Sequence, residues 1–250
     1  MTRRGIFLDF GFVIGFPAAG LDRKYFYLDW DGIDAIFKDH ELKQRLHPAI
    51  GRAQLEAFFE REIYRVFLHH EQTDAIDPRT NQLLLDKLHL VFHDPIDQAL
   101  VDRILVHIDT MKYIAIDDRA VEVIARLKQR GLQLALVSNM MLPGKLLKAK
   151  LQKANALTYF DHIVISSDIG FMKPHPEIFR RTLTQCQLTS DEVVFVGDTY
   201  QQDILGAKRA ELKSVWLNTR HEPRAMTADD PPDYEIETLA ELIEKPLPGL

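Results

Sequence analysis

Four places in this chain set a polar or charged side chain where an apolar run stops, and the residue types are those that chemistry on an anion would use. Asp9 lies within Gly5-Ile6-Phe7-Leu8-Asp9-Phe10-Gly11-Phe12-Val13-Ile14, a run too apolar to hold a carboxylate idly. Either backbone amides satisfy it, or a metal ion or a cation does. Ser138-Asn139 follows directly on the apolar run 132–137, where both residue types are common as turn or cap residues. A lone lysine is usually solvated. Lys173, however, is flanked by Gly170, Phe171, Met172, Pro174 and Pro176, which would hold it in a defined loop. Asp198 ends the run Val193-Val194-Phe195-Val196-Gly197, and Asp203 comes five residues later at the start of a helical stretch. Both carboxylates can face one site at the edge of a sheet.

Such residues need a scaffold that ends several strands together. From Tyr113 onward, strand-like and helix-like segments alternate. Asp117 and Asp118 can cap a helix that places Val121, Ile124, Ala125 and Leu127 mostly on one face, with Gly131 as its stop. The apolar runs 132–137, 162–166, 193–197 and 214–218 read as strands, and 143–156 and 200–211 as helices. A further helix starts at Pro176, a residue suited to a first turn. Residues 5–14 read as a central strand. Strands this apolar, alternating with helices, predict a parallel sheet covered on both faces.

The stretch between the first strand and Tyr113 has few strand signals. Amphipathic runs such as Leu55, Phe58, Phe59, Ile63, Val66 and Phe67, then Leu83, Leu84, Leu85, Leu88 and Leu90, predict a mostly helical insertion. It leaves the sheet after the first strand, so it sits beside the carboxyl ends where open α/β sheets bind ligands. The tail 221–232 reads as an exposed loop, a short helix is expected over 238–244, and Pro246, Pro248 and Gly249 suggest a frayed end.

Taken in order, Asp9, Ser138, Lys173-Pro174 and Asp198 with Asp203 resemble the four motifs of the haloacid dehalogenase (HAD) superfamily, and the likeness covers the whole chain. The long insertion is similar to the helical C1-type cap of its first subclass. The resemblance implies an α/β fold with a Rossmann-like parallel core, formed by 1–14 and 113–250, and a cap at 15–112. It also implies a Mg²⁺-dependent phosphatase acting on a small phosphorylated metabolite. Asp9 would be the nucleophile that becomes an aspartyl-phosphate. Ser138, the amide of Asn139 and the Lys173 ammonium would bind the phosphoryl oxygens. Mg²⁺ would be held by Asp9, the carbonyl of Gly11 and Asp198, with Asp203 acting through water. Catalysis would then turn on neutralising the repulsion between two anions.

The sequence departs from the family at Gly11 and Phe12. Family phosphatases generally carry a second Asp two residues after the nucleophile, which protonates the leaving group. Losing such an acid typically costs roughly 10²–10⁴ in rate. A branch of the family has glycine there. Either Asp22, Tyr25, Asp29 or Asp31 replaces the acid, or the substrate has a good leaving group such as an acyl or aryl phosphate. Gly11 is also compatible with a metal-independent 2-haloacid dehalogenase, and with a catalytically silent binding or regulatory protein.

Other residues have plainer readings. His69, His70, His89, His93 and His107 lack metal-ligand spacing. Arg61 and Arg65 could grip an anion, but Glu56, Glu60 and Glu62 beside them predict an ion-paired, solvated face. Tyr25, Phe26 and Trp30 could close over the site or simply pack.

Composition limits the partners. The 250 residues are 46% hydrophobic and 27% charged, with 12 glycines and 12 prolines, which excludes collagen-like and disordered chains. A net charge of −6 offers no global attraction for nucleic acid or anionic lipid. The basic start and apolar run of the N-terminus mimic a signal peptide, but Asp9 interrupts it, and no stretch reaches the roughly 18 apolar residues of a membrane span. A lone cysteine, Cys186, forms no internal disulfide, so the expected setting is reducing and cytoplasmic.

Overall fold

The computed structural model describes residues 4–20, 28–66, 69, 80–219, 221 and 231–245. Asp22, Tyr25, Phe26, Phe67, His70, most of the 221–232 tail, Pro246, Pro248 and Gly249 lie outside them. In chain order the strands are β1 (Gly5–Leu8), β2 (Gly15–Pro17), β3 (Ile114–Ile116), β4 (Gln133–Ser138), β5 (His162–Ile165), β6 (Val193–Gly197), β7 (Lys213–Leu217) and β8 (Tyr234–Ile236). Six of them form a sheet in the order β5-β4-β1-β6-β7-β8, parallel throughout.

The period-2 geometry of each strand divides its side chains between two apolar cores. Ile6, Leu8, Leu136 and Val196 join Ile124 and Leu127 on one face. Phe7, Val137 and Phe195 join Ile178, Phe179 and Ala207 on the other. Each of the larger side chains among them contributes about 1.5–3 kcal/mol on burial. The crossover helices carry the signals seen in the sequence. Asp117 caps Asp118–Gln129 by accepting from the Arg119 N–H, and Gly131 follows at φ 80°. Pro176 opens Pro176–Cys186, with His175 as its cap.

Three expectations need correction. The first strand stops at Leu8 rather than running to residue 14, because Ile14 and Gly15 both donate to Phe10 O, at 3.0 and 2.9 Å, and close a turn. The chain then returns as β2, which pairs antiparallel with β3 in a separate ribbon. Residues 200–211 begin as a wide turn over Tyr200–Ile204 and become α-helical only at Leu205–Arg209. The last helix is Glu241–Glu244. Its start is delayed because the Glu241 carboxylate accepts from the N–H groups of Glu237 and Thr238.

Between β2 and β3 the described chain is mostly helical, with Gly32–Lys38, His40–Arg45, Arg52–Phe58, Thr80–Lys87 and Gln98–Ile108. Its own core includes Leu28, Ile36, Phe59, Leu84 and Ile104. Leu90, grouped with that apolar run in the sequence, is instead exposed. The β2–β3 ribbon ties together the two ends of the insert. Among the described residues no helix is long and apolar enough to cross a membrane.

Candidate active site

β1 sits where the strand order reverses, with β4 and β5 on one side and β6, β7 and β8 on the other. Connections leaving in opposite directions open a crevice at the carboxyl ends of the strands. Parallel register brings three of the sequence-predicted residues to that edge, since Leu8 aligns with both Leu136 and Val196. Asp9 follows β1 and extends its ladder, its backbone N–H donating to Val196 O at 2.9 Å. Ser138 is the last residue of β4, and Asp198 directly follows β6.

Lys173 arrives from the loop before Pro176–Cys186 and is 1% exposed. Its Nζ donates to Asp9 Oδ1 at 2.6 Å and to Asp203 Oδ1 at 2.7 Å. A buried ammonium is tolerated only when paired and hydrogen-bonded, and here it has two carboxylates. Asp203 is fixed in turn: its Oδ2 accepts from the Thr199 N–H at 2.9 Å, and its own N–H donates to Thr199 O at 2.8 Å. Gly197 makes this approach feasible, because a Cβ there would fall 2.3–2.4 Å from the Asp203 side chain.

The electrostatics follow from one cation among several acids. Burial pushes the Asp9 carboxyl up to about 6, with Lys173 opposing the shift and Asp203 adding to it. For Lys173, burial disfavours the ammonium, yet Asp203 and Asp9 outweigh it and hold its pKa above the ordinary lysine value. Carboxylate oxygens of Asp9, Asp198 and Asp203 lie within 4.8 Å of one another. Asp9 and Asp203 are buried and Asp198 half-buried. An excess of closely set oxygen anions over cations fits a hard metal ion.

Asp9, Asp198 and Lys173 open on a cavity of about 470 Å³, whereas Asp203 is buried and does not line it. Its lining includes Asp9, Gly11, Ser138, Asn139, Lys173 and Asp198, as the sequence predicts. Sequence reasoning missed Thr110, Thr199, Gln202 and the apolar wall that Met111, Met140, Met141 and Leu142 form with Phe12. It also missed what the Asn139 side chain does. The Asn139 Oδ1 accepts from the Lys173 N–H at 2.8 Å, and its Nδ2 donates to Lys173 O at 2.9 Å. This two-way clamp fixes the lysine backbone, and nothing in the local sequence signals it.

The alternative acids lie elsewhere. Asp29 is fully buried, paired with Lys112 and accepting from the Tyr113 hydroxyl at 2.9 Å. Asp31 is exposed, and neither residue lines the cavity. Arg61 pairs with Glu62 at 2.6 Å and Arg65 with Glu60 at 2.7 Å, on an exposed face. Trp30 packs edge-on against Tyr64 within the insert. His107 hydrogen-bonds Asp39 at 3.1 Å, and His47 bonds the His89 carbonyl at 3.0 Å. Among the described residues, Asp9, Asp198 and Asp203 form the only group of three or more such side chains placed to hold a metal.

Known proteins resemble this chain in sequence and in fold. The chain is similar to a glyceraldehyde 3-phosphate phosphatase of Methanopyrus kandleri, 27% identical over 86% of this chain and 94% of that one. It is 33% identical to a phosphoserine phosphatase of Thermus thermophilus, over 48% of this chain and 46%, about half, of that relative. In fold it is similar to a 2-haloacid dehalogenase of Pseudomonas syringae, with a TM-score of 0.63 at 18% identity over 97% of both chains. The family model for haloacid dehalogenase-like hydrolases matches residues 23–211, which contain Ser138, Lys173, Asp198 and Asp203, and the chain belongs to that family of hydrolases.

Proposed function

We propose that this chain is a Mg²⁺-dependent phosphatase that hydrolyses a small phosphorylated metabolite through an aspartyl-phosphate on Asp9. The carrying observation is Lys173, buried and bonded to both Asp9 and Asp203, with Asp198 close by. The phosphatases among its relatives support the reaction class.

In this reading an Asp9 carboxylate oxygen attacks phosphorus. Ser138, the Asn139 N–H and the Lys173 ammonium bind the phosphoryl oxygens, where charge develops. Asp9, Asp198 and the Gly11 carbonyl would hold Mg²⁺. Asp203, already engaged by Lys173 and the Thr199 N–H, would act on it through water. The ion, when bound, supplies the positive charge that lets one anion approach another. Water then cleaves the acyl-phosphate and restores Asp9. Residues 15–112 act as a cap over a core of 1–14 and 113–250, and supply selectivity while the core supplies chemistry. The substrate is a small molecule, and neither nucleic acid nor membrane is a partner. The single, buried Cys186 suits a cytoplasmic setting.

Hydrolysis of phenyl phosphate, measured with Mg²⁺ and with chelator, tests the reading. Activity should vanish with chelator and in Asp9→Asn. Turnover that survives either change rejects it. Halide release from 2-chloropropionate without metal would assign the dehalogenase reaction instead. Mg²⁺ binding with no turnover of any phosphate would assign a silent binding protein.

A further inference from the structure

Next to Asp9 the cavity has a gap and an obstacle. The gap is Gly11: a Cβ placed there would meet nothing within 4 Å except Asp9 Oδ2, at 3.9 Å. The obstacle is Phe12, held at φ 54°, a conformation glycine adopts freely and a bulky residue rarely does. A strained residue at a cavity wall points to a function for its side chain. Phe12 lines the cavity, and its ring stands edge-on to Phe16 with centroids 6.3 Å apart. Met111, Met140 and Met141 share that lining. Methionine is the most adaptable apolar side chain and makes favourable sulfur contacts with aromatic rings.

Proton supply gives a second, independent constraint. Among the described residues lining the cavity, the titratable side chains are Asp9, Lys173 and Asp198. The first is the nucleophile, the second is bonded to two carboxylates, and the third belongs to the acidic trio. Thr110, Ser138, Asn139, Thr199 and Gln202 supply hydroxyls and amides that do not act as acids near neutral pH. An alkoxide leaving group needs a proton as its bond to phosphorus breaks, whereas a phenolate or carboxylate does not.

We propose that Gly11 and Phe12 restrict this enzyme to phosphoryl donors whose leaving group is a phenol or carboxylic acid carrying a flat apolar body that packs against Phe12. The inference rests on the phosphatase reading and narrows its substrate class. In the first step Asp9 Oδ bonds to phosphorus, and the P–O bond to the leaving group breaks. The electron pair stays on the departing oxygen, which leaves as an anion without a proton. In the second step water attacks the same phosphorus and the aspartyl oxygen departs as carboxylate. Both protons of the water end on the phosphate product.

The test is a panel of 4-nitrophenyl, phenyl, benzoyl, acetyl and ethyl phosphates with Mg²⁺, run on the wild type and on Gly11→Asp, Phe12→Gly and Phe12→Leu. For the wild type, kcat/KM should fall steeply as the leaving group becomes less acidic, with aryl and benzoyl phosphates about 100-fold or more above ethyl phosphate. Gly11→Asp, whose Cβ meets only Asp9 Oδ2 at 3.9 Å, should raise ethyl phosphate turnover about tenfold or more and flatten the slope. Phe12→Gly should lower the benzoyl-over-acetyl preference by about tenfold, mainly through KM, while Phe12→Leu keeps most of it. The same glycine variant should melt higher than the wild type as the backbone relaxes.

A wild-type slope of zero, with ethyl or glyceraldehyde 3-phosphate turned over as fast as phenyl phosphate, overturns the inference and leaves the phosphatase reading standing. A benzoyl-over-acetyl ratio unchanged in Phe12→Gly overturns the apolar part. Absence of turnover on every phosphate overturns both. Which of phenyl and benzoyl phosphate is faster tells a phenol-derived from a carboxylic-acid-derived substrate.

Discussion

At the scale of single residues, the proposed chemistry depends on how Lys173 is held. Asn139 bonds the Lys173 peptide from both sides. Asn139→Ala leaves a buried N–H and C=O without partners, a loss of about 1–3 kcal/mol. We expect a lower Tm and a fall in kcat with KM little changed, since the ammonium would lose its aim rather than its charge. Asn139→Asp keeps the acceptor for the Lys173 N–H and should recover part of the stability. Gly197→Ala acts on the opposite side of the site. Its Cβ would overlap the Asp203 carboxylate, so Asp203 must move away. If Asp203 helps hold Mg²⁺, the rise in Tm on adding Mg²⁺ should shrink in this variant. That rise is about 2.7 kcal/mol of stability at 100 times Kd, and an unchanged Mg²⁺ shift in Gly197→Ala would remove Asp203 from the metal site. Asp9, Lys173 and Asp198 were legible because a charge that interrupts an apolar run demands an explanation. The Asn139 clamp was not, because it joins residues 34 positions apart and asparagine after a strand has an ordinary role as a turn residue.

Secondary-structure elements show the same contrast. The helices at 118 and 176 could be read from their starts, the Asp117 cap and Pro176 in the first turn, because those signals are local. β8 could not, since Tyr-Glu-Ile is too short a run to carry a period and gains its place by pairing with β7. The end of β1 was misread because its apolar composition continues past the residue where the backbone turns. Within the insert, Asp39 couples two helices. Its Oδ1 accepts from the N–H groups of Glu41 and Leu42 as the cap of His40–Arg45. Its carboxylate also takes Arg103 Nε at 2.8 Å and His107 Nε2 at 3.1 Å, both from Gln98–Ile108. The Arg103 hydrogen bond, helped by the Leu42 amide and His107, holds the Asp39 carboxyl far below the usual carboxylate range. A depressed folded-state pKa means that the ionised form stabilises the fold above the ordinary aspartate value, about 3.9. That contribution fades as pH falls below it toward the folded value. Asp39→Asn keeps a good cap and loses the ion pair, whereas Asp39→Ala loses both, with about 1 kcal/mol ascribed to the cap. In urea titrations across pH 7 to 3, the gap between wild type and Asp39→Asn should narrow with acid. A gap that stays constant would mean the ion pair adds nothing.

Across the whole molecule, the sheet and the helical insert have separate apolar cores, yet Met141, Leu142 and Met172 leave the sheet's loops and bury themselves in the core of the insert. The same loops carry Asn139 and Lys173, so the packing that joins the two bodies also frames the candidate site. An exposed ion pair between Lys145 and Asp102 spans the same boundary, with side chains 47% and 50% exposed. Pairs this solvated contribute little, about 0–1 kcal/mol, whereas Leu→Ala in a packed core costs about 2–5 kcal/mol. Apolar packing therefore decides whether the two bodies unfold together. The chain has two tryptophans, and each reports on one body: Trp30 is buried in the insert and Trp216 in the sheet. In Trp30→Phe and Trp216→Phe, the remaining fluorescence should follow the same denaturation curve as far-UV circular dichroism, as one cooperative transition requires. Adding Lys145→Ala should leave that coincidence intact. Adding Leu142→Ala should split it, with the Trp30 signal lost first, because the insert then keeps its own core but loses its hold on the sheet. Coincident curves in the Leu142→Ala background would mean that the β2–β3 ribbon and the remaining contacts suffice to make the molecule one unit.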